Sequence, residues 1–438
     1  MKATPIPQQI VDQALEHFNL SNPGNASIRE IRRLIDSVEK NQEIRFIRME
    51  MGIPGLPVPE IAIEAERAAL AAGVASSYPP VAGIPRLKDE IARFVSNFLD
   101  VSIDPAGCVP TVGSINGSYA VFMVAGRARA ERDTILFLDP GFPVHKQQAK
   151  MIGLDVRGFD VYNHRGEALE AKLDSALSDG KVAALLYSNP NNPAWICFTQ
   201  DELATIATVA KRHDVVVIED LAYVAMDFRQ DFGVPGEPPY QPTVAKHTDE
   251  FILLISSSKA FSYAGQRVGM LCVSDALMGR RFQGLRTFYN SDQFGEALIL
   301  GTLYATTAGV NHSSQHGLAA LLSAVNSGSY SFLEDVRRYG ERAKRMKDAF
   351  TTANFTIVYD QDIDQPIADG FYFTVAYPGL TGESLIRELL YYGISAIALG
   401  TTGSERTEGI RACVSLVHED EIPELQRRLH LFNEHHVG

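Results

Sequence analysis

The chain has 438 residues, of which 45% are hydrophobic and 21% are charged, and its formal net charge is −13. This length exceeds what one hydrophobic core normally serves, so we expect at least two domains. The acidic balance, without a dense basic run, argues against nucleic acid and against an anionic membrane surface as partners. Small anionic ligands stay possible, because they need only a local positive pocket.

The sequence shows no sign of a membrane protein or of a metal protein. No run of 18 apolar residues occurs, and residues 1–5 lack the apolar stretch of a signal peptide. The cysteines are far apart and have no metal-ligand spacing. We therefore expect no membrane span, no metal site and a cytoplasmic location with reduced thiols. These thiols are Cys108, Cys197, Cys272 and Cys413.

The N-terminal part reads as two helices with an irregular segment between them. Residues 27–40 have a helical pattern, residues 52–59 are rich in proline, and a helix resumes at Glu60. A further helix is predicted from Gly113 to about residue 130. Its small first residues leave backbone N–H groups free to face an anion, whereas the plainer interpretation makes Ser114 an ordinary N-cap.

Five apolar runs in the middle of the chain predict a parallel sheet. They are apolar at every position, which is typical of strands covered by helices on both faces. Helical patterns separate them, and one of these helices should begin with a capping box formed by Thr199 and Glu202. Strands and helices that alternate in this way predict an α/β sandwich. The predicted strands are 134–138, 182–187, 215–218, 251–255 and 270–273.

The last third of the chain has a different pattern, which predicts a smaller α+β domain. A long helix over 331–353 precedes a strand at 370–375, a helix from about Glu383 and a strand at 409–415. The predicted domain bounds are 1–55 for an N-terminal arm with part of the small domain, 56–325 for the large domain and 326–438 for the small domain.

Lys259 is the most informative residue. It stands in a predicted loop after strand 251–255, behind three serines, and Arg267 follows it. Ligands of open α/β sheets bind beyond the carboxyl ends of the strands. An amine there, between hydroxyls and a guanidinium, suits a Schiff base beside a bound phosphate. The cofactor that this pattern implies is pyridoxal phosphate.

Other strand ends supply the partners that this cofactor needs. Asp220 can pair with a protonated pyridine nitrogen, and Tyr223 can donate to an oxygen on the same ring. The turn 189–193, Asn-Pro-Asn-Asn-Pro, holds Asn192 rigidly, and Phe142 can stack on an aromatic ring. Each residue alone also fits an ordinary structural role, but their joint occurrence favours function.

These motifs, and their order along the chain, resemble those of class I and II aminotransferases of the pyridoxal phosphate fold-type I superfamily. The resemblance runs from about Gly52 to the C-terminus. It implies an α/β fold, with a large α/β/α domain around a mostly parallel sheet and a smaller α+β domain. The matching segments are 78–87, 113–114, 139–143, 189–193, 220–223, 256–259, 267–269 and 409–411.

The resemblance also implies a role for each matching residue. Lys259 would carry the cofactor and move a proton, Asp220 would hold the ring nitrogen, and Asn192 and Tyr223 would bind the ring oxygen. Arg411 would clamp the substrate α-carboxylate through a bidentate pair, with Asn192 and Gly52 nearby. The phosphate would be bound by Gly113, Ser114, Ile115, Ser256, Ser258 and Arg267, and by Tyr78 of a neighbouring subunit in a homodimer with shared active sites.

Two departures from the family pattern and one unassigned segment stand out. Ile115 stands where many relatives have a hydroxyl residue, so one phosphate bond is expected to be missing. Trp195 follows the Asn-Pro turn in place of a small residue, where it either reshapes the pocket or occupies a surface or interface position. Residues 288–294 fit no motif.

The resemblance implies an aminotransferase that moves an amino group between an L-amino acid and a 2-oxo acid by a ping-pong mechanism. The same ring contacts serve a β-lyase, a decarboxylase or a cyclising synthase, so these reactions stay open. A non-catalytic regulator would need a basic DNA-binding domain, for which the residues before Gly52 are too few and too balanced in charge.

A remote alternative is a serine acyl enzyme. Ser256-x-x-Lys259 matches an S-x-x-K pattern, and Ser291-Asp292 resembles part of its S-D-N partner. The K-T-G segment of that chemistry is absent. Its S-x-x-K also opens a helix, whereas a loop after a strand is predicted here.

Overall fold

The computed structural model describes residues 3–40 and 45–436. They form a large seven-stranded β-sheet, a small four-stranded β-sheet and two two-stranded sheets, with helices around them. Outside the described residues lie 1–2, 41–44 and 437–438. The first residue of the predicted N-terminal arm and the last residue of the predicted small domain are among them. The helices are α1 (Gln8–His17), α2 (Ile28–Glu39), α3 (Glu60–Ala71), α4 (Pro85–Leu99), α5 (Gly113–Ala128), α6 (Pro143–Met151), α7 (Ala168–Leu177), α8 (Gln200–Arg212), α9 (Ser257–Ala260), α10 (Asp275–Gly279), α11 (Phe294–Glu296), a π-helix (Ala297–Leu303), α12 (Tyr304–Thr307), α13 (His312–Asn326), α14 (Phe332–Thr352), α15 (Gly382–Tyr391) and α16 (Ile422–His436).

The strands divide between the large sheet and several shorter pairings near both ends of the chain. They are β1 (Ile47–Arg48), β2 (Cys108–Thr111), β3 (Thr134–Asp139), β4 (Asp155–Asp160), β5 (Val182–Ser188), β6 (Val216–Leu221), β7 (Phe251–Ser256), β8 (Gly269–Val273), β9 (Thr356–Ile357), β10 (Gln361–Asp362), β11 (Gln365–Pro366), β12 (Tyr372–Ala376), β13 (Ile394–Ser395), β14 (Ile397–Ala398) and β15 (Gly409–Cys413).

The large sheet has the strand order β2-β8-β7-β6-β5-β3-β4. Its strands run in one direction except β8, which is antiparallel to both of its neighbours. Every residue of β3, β5, β6, β7 and β8 is buried, as expected for strands covered on both faces. The predicted α/β fold with a mostly parallel sheet is therefore confirmed, with strand ends displaced by at most three residues.

Local sequence signals explain several helix ends. Thr199 and Glu202 form the predicted capping box at the start of α8. Ser27 and Glu30 form a second box that opens α2. In both boxes the side chains satisfy backbone N–H groups that the first helical turn leaves unpaired.

The N-terminal segment pairs with the C-terminal part of the chain rather than with the large sheet. Strand β1 pairs in parallel with β13, while β14, β15, β12 and β9 form an antiparallel sheet. Asn22 donates from Nδ2 to Glu383 Oε2 at 2.6 Å, which fastens the start of the chain to α15. The domain bounds at 55/56 and 325/326 stay predictions.

Lys259 does not lie in a loop, which corrects the sequence prediction. Strand β7 ends at Ser256, and the one-turn helix α9 begins at the next residue. The Ser256 hydroxyl accepts a hydrogen bond from the backbone N–H of Ser258 at 3.1 Å. A serine that caps in this way favours a helical turn directly after the strand.

Within residues 3–40 and 45–436, no helix has both the length and the apolar character needed to cross a bilayer.

Candidate active site between the two sheets

A cavity of about 340 Å³ lies beyond the carboxyl ends of the large sheet and is closed on one side by the small sheet. The structure brings all of the predicted site residues into its wall except Gly113 and Tyr78. They reach it from the ends of separate strands because parallel strands end at one edge. These residues are Gly52, Ser114, Ile115, Phe142, Asn192, Asp220, Tyr223, Ser256, Ser258, Lys259, Arg267 and Arg411.

The Lys259 amine is held at the bottom of this cavity. Its Nζ donates to the backbone carbonyl of Gly52 and lies 5.6 Å from the ring centroid of Phe371. Burial, together with the positive charges of Arg411 and Arg267, lowers the pKa of Lys259 to about 8. Near neutral pH a larger fraction of this amine is neutral than of an ordinary lysine, which suits a nucleophile or a base.

The carboxylate of Asp220 is buried, and no lysine or arginine of the described residues pairs with it. One oxygen accepts from the backbone N–H of Ala222 at 3.1 Å, and the described residues supply no lysine or arginine within ion-pair distance. Burial, together with the charge of the Glu219 carboxylate, raises the pKa of Asp220 to about 7. Such a group fits a cationic ring nitrogen, which would restore the charged carboxylate.

His145 lies behind Asp220 and was not predicted from the sequence. Its Nε2 is 3.9 Å from Asp220 Oδ2, and its buried Nδ1 has no hydrogen bond. Burial lowers the pKa of His145 to about 4, so the ring is neutral beside the carboxylate. Its position on α6, three residues after Phe142, gives no sequence signal for this contact.

An aromatic cluster surrounds Tyr223, which was predicted to bind a ring oxygen. The Tyr223 hydroxyl donates to the Tyr372 hydroxyl at 2.8 Å, so the small sheet helps to orient Tyr223. Trp195 is 0% exposed and packs edge-on against both tyrosine rings, at 5.3 Å and 6.1 Å between centroids. Trp195 is thus an internal support of the pocket, and the surface or interface interpretation is wrong.

The start of α5 forms a cradle that suits a phosphate group. Val112 occupies the N-cap position without a side-chain hydrogen bond, so Ser114 is not the N-cap. Gly113 has φ +69°, and a Cβ added there would lie 2.3 Å from Arg267 Nη2. The missing side chain therefore lets the guanidinium approach the positive end of a long helix. The hydroxyls of Ser256 and Ser258 reach the same cavity.

Arg411 projects from β15 with donors still available. It is 1% exposed; Nη2 donates to the Glu50 carbonyl at 2.5 Å and Nη1 donates to Asn192 Oδ1 at 3.3 Å. Its buried Nε has no partner among the described residues. The guanidinium lies 4.5 Å from the Tyr372 ring centroid, which limits its movement. A buried arginine with unused donors fits an incoming carboxylate.

The remaining predicted residues have other surroundings. Gly52 touches Tyr372 so closely that an added Cβ would lie 2.0 Å from the tyrosine oxygen, so a side chain there would displace the ring. Tyr78 is 93% exposed and lies in a separate surface depression beside Pro79 and His312. One chain alone therefore does not bring Tyr78 to the cavity.

The residues of the serine–lysine alternative are not assembled. Helix α9 removes the secondary-structure objection to it, because Ser256 does precede a helical turn. However, Lys259 donates to Gly52, and no hydrogen bond joins its amine to the Ser256 hydroxyl among the described residues. Asp292, the remote partner, is bound by Arg281 at 2.6 Å and by Arg286 at 2.9 Å. Asp292 of the unassigned segment 288–294 therefore has a structural ion-pair role.

Comparison with known proteins relates most of the chain to one family. The family model described as "Aminotransferase class I and II" matches residues 46–429. Nicotianamine aminotransferase B of Hordeum vulgare is 29% identical over 257 residues, which cover 57% of this chain and 45% of that protein. The S-alkyl-thiohydroximate lyase SUR1 of Arabidopsis thaliana is 28% identical over 251 residues, which cover 56% of this chain and 52% of that protein.

The chain thus spans about half the length of the curated relatives it matches. Among solved structures, the alanine aminotransferase from Pyrococcus furiosus superposes with a TM-score of 0.75 at 18% identity, over 95% of this chain and 99% of that one. This similarity shows a shared fold.

Proposed function

This chain belongs to the class I and II aminotransferase family, which depends on pyridoxal phosphate, and from that membership we propose that it moves an amino group between an L-amino acid and a 2-oxo acid. One observation carries the proposal: Lys259, Asp220 and Arg411 line the same cavity. They offer a ligand an amine, a carboxylate without a lysine or arginine partner, and guanidinium donors that are not yet used. In this proposal they attach the cofactor, hold its ring nitrogen and bind the substrate carboxylate.

Pyridoxal phosphate, when bound, supplies an electrophilic carbon for the substrate amine and a ring that weakens the substrate Cα–H bond. Lys259 would hold the cofactor through Nζ, and its freed amine would take the substrate Cα proton as a neutral base. Asp220 would keep a proton on the ring nitrogen. Asn192 would donate to the ring oxygen. Tyr223 would donate to it after its hydroxyl hydrogen turns away from Tyr372, whose own hydroxyl would then donate to the Tyr223 oxygen.

The phosphate would be bound where positive charge and free donors meet. The N–H groups of Ser114 and Ile115, the hydroxyls of Ser256 and Ser258 and the Arg267 guanidinium would share this task, and Phe142 would cover the ring. Gly113 contributes by leaving space for Arg267. Since Ile115 has no hydroxyl, it would offer the phosphate only its backbone.

A stoichiometric reaction without an amino acceptor tests the proposal. Holoenzyme mixed with L-amino acids should form about one 2-oxo acid per site and then stop, because no acceptor takes up the amino group. A second 2-oxo acid should restart the reaction. If no amino acid in a broad panel gives a 2-oxo acid, the proposed function is wrong.

A β-lyase is the second candidate, favoured by the similarity to the thiohydroximate lyase of Arabidopsis thaliana. The same stoichiometric reaction separates the two candidates. A lyase would turn over repeatedly without an acceptor and release ammonia from substrates that carry a leaving group on Cβ. Transamination releases no ammonia under these conditions.

Replacing Arg411 by lysine should weaken amino acid binding about tenfold to 100-fold and change cofactor affinity less than about threefold. Lysine keeps the positive charge but cannot make a bidentate pair with a carboxylate. Half-reaction kinetics would give the amino acid affinity, and spectral titration of the apoprotein would give the cofactor affinity. Equal loss of both affinities would remove Arg411 from the substrate role.

We propose that the working unit is a homodimer in which Tyr78 reaches the phosphate of the partner subunit's site. Support comes from its 93% exposure and from its position outside the cavity of its own chain. Exposed apolar side chains elsewhere on the surface, such as Leu300 at 66% and Tyr304 at 61%, suit a covering partner. We also propose a cytoplasmic location, which the four unpaired cysteines support.

A further inference from the structure

The cavity wall carries more positive charge than the cofactor and the α-carboxylate require. Lys259, Arg267 and Arg411 already have assigned partners, but Arg29 and Arg32 of helix α2 also line the wall. Within the described residues, Asp220 is the only carboxylate in that wall, and it faces the ring nitrogen in the proposed function. Two guanidinium groups are therefore left without an assigned ligand.

Helix α2 presents these two arginines firmly. The capping box of Ser27 and Glu30 fixes its first turn. On its inner face Ile31, Leu34, Ile35 and Val38 are buried, which anchors the helix against the core. Arg29 and Arg32 lie on the opposite, exposed face and border the cavity together with Ile28.

The protein itself does little to neutralise Arg29 and Arg32. Arg29 forms no ion pair or hydrogen bond with any described residue. Arg32 reaches only Asp36, at 3.6 Å in an exposed pair, and such pairs add little stability. The nearby Glu30 carboxylate is taken by the Ser27 backbone N–H at 2.8 Å. Both arginines are therefore available to an anion.

We propose that Arg29 and Arg32 bind an anionic group at the far end of the substrate side chain, which makes the preferred substrate a dicarboxylic amino acid. Arg411 binds one end at the buried floor, while the two α2 arginines bind the other end at the exposed side. Met51, Ile53 and Pro54 give this wall an apolar surface that suits methylene groups between two carboxylates. The inference rests on the proposed function and names its substrate class.

The test compares a double variant with a matched control on the same helix. Arg29→Gln with Arg32→Gln removes both charges from the wall. Arg33→Gln removes an equally exposed charge whose guanidinium lies 5.3 Å from the Phe18 ring centroid, away from the cavity wall. Half-reaction rate constants are measured with L-glutamate and with L-norvaline, which lacks the second carboxylate. Calorimetry on each holoenzyme gives the dissociation constants of succinate and butyrate.

The double variant should lose about 100-fold in its rate constant for L-glutamate and at least about tenfold in succinate affinity. Its values for L-norvaline and butyrate should stay within about threefold of the parent protein. Arg33→Gln should leave both rate constants and both dissociation constants within about threefold of those of the parent protein.

Equal losses for L-glutamate and L-norvaline would overturn the inference, because they would indicate a general structural role for α2. A parent protein that does not prefer L-glutamate to L-norvaline would overturn it as well. If no amino acid reacts at all, the proposed function fails separately. In that case, selective loss of succinate binding in the double variant would still support the anion site, and unchanged succinate binding would contradict it.

Discussion

Replacing Lys259 by alanine will lower the rate of amino-group transfer by at least about 10⁴-fold while the protein stays folded. The amine has two tasks in the proposed mechanism, since it attaches the cofactor and moves the Cα proton. No other lysine of the described chain lines the cavity. Alanine also removes a buried amine whose pKa is lowered by burial, so the fold should tolerate the change.

Borohydride reduction followed by peptide mapping measures the attachment directly. The parent holoenzyme should carry the reduced cofactor on Lys259, and the alanine variant should carry none. Lys146→Ala is the matched control, because Lys146 pairs with Asp139 at 2.7 Å and is not part of the cavity wall. A label found on any lysine other than Lys259 would end this assignment.

The pH dependence of cofactor capture adds a readout that a purely structural lysine would not change. Only the neutral amine attacks a carbonyl carbon, and the pKa of Lys259 is lowered to about 8 by burial. Capture of pyridoxal phosphate by the apoprotein should therefore quicken about tenfold per pH unit below pH 8 and level off above it. A midpoint near that of an ordinary exposed lysine would contradict the environment described for Lys259.

Asp220→Asn should reduce kcat about 10²- to 10³-fold while the cofactor stays bound. Asparagine has a similar shape but no charge, so it cannot keep a proton on the ring nitrogen. Asp220→Glu should recover part of the rate, because it restores a carboxylate. The measurement is single-turnover formation of the 2-oxo acid with saturating cofactor.

Glu219→Gln provides the control for Asp220, since it changes the neighbouring buried carboxylate outside the cavity wall. Glu219 accepts from the Val244 backbone N–H at 3.1 Å and also bonds to Asn189 at 3.3 Å, so its loss should lower Tm more than kcat. Full activity of Asp220→Asn, or equal rate losses in Asp220→Asn and Glu219→Gln, would remove Asp220 from the ring-nitrogen role.

The sequence was most informative where local rules govern the structure. Continuous apolar runs predicted the buried strands, and Thr199 with Glu202 predicted the start of α8, because burial and capping depend on neighbours in the chain. Ligands of open α/β sheets bind beyond the carboxyl ends of the strands, and this rule predicted from the sequence that Ser114, Asn192, Asp220 and Lys259 lie close together. Each of these residues follows or ends a strand of one sheet, so one edge collects them.

Contacts made across the cavity could not be predicted in the same way. Tyr372 lies within a strand of the small sheet, and which face it takes depends on how β12 pairs with β15. Arg29 and Arg32 lie on a helix whose position relative to the cavity depends on the attachment of the N-terminal segment to α15. The helical turn at Lys259 was missed because three serines suit both a loop and a capped helix start.

The segment around Met51 links the two functional cations through its backbone. The carbonyl of Glu50 accepts from Arg411, and the carbonyl of Gly52 accepts from Lys259. Two carbonyls one residue apart on either side of Met51 therefore hold both cations while no ligand is bound. A shift of this short segment would change the positions of the Lys259 amine and the Arg411 guanidinium together.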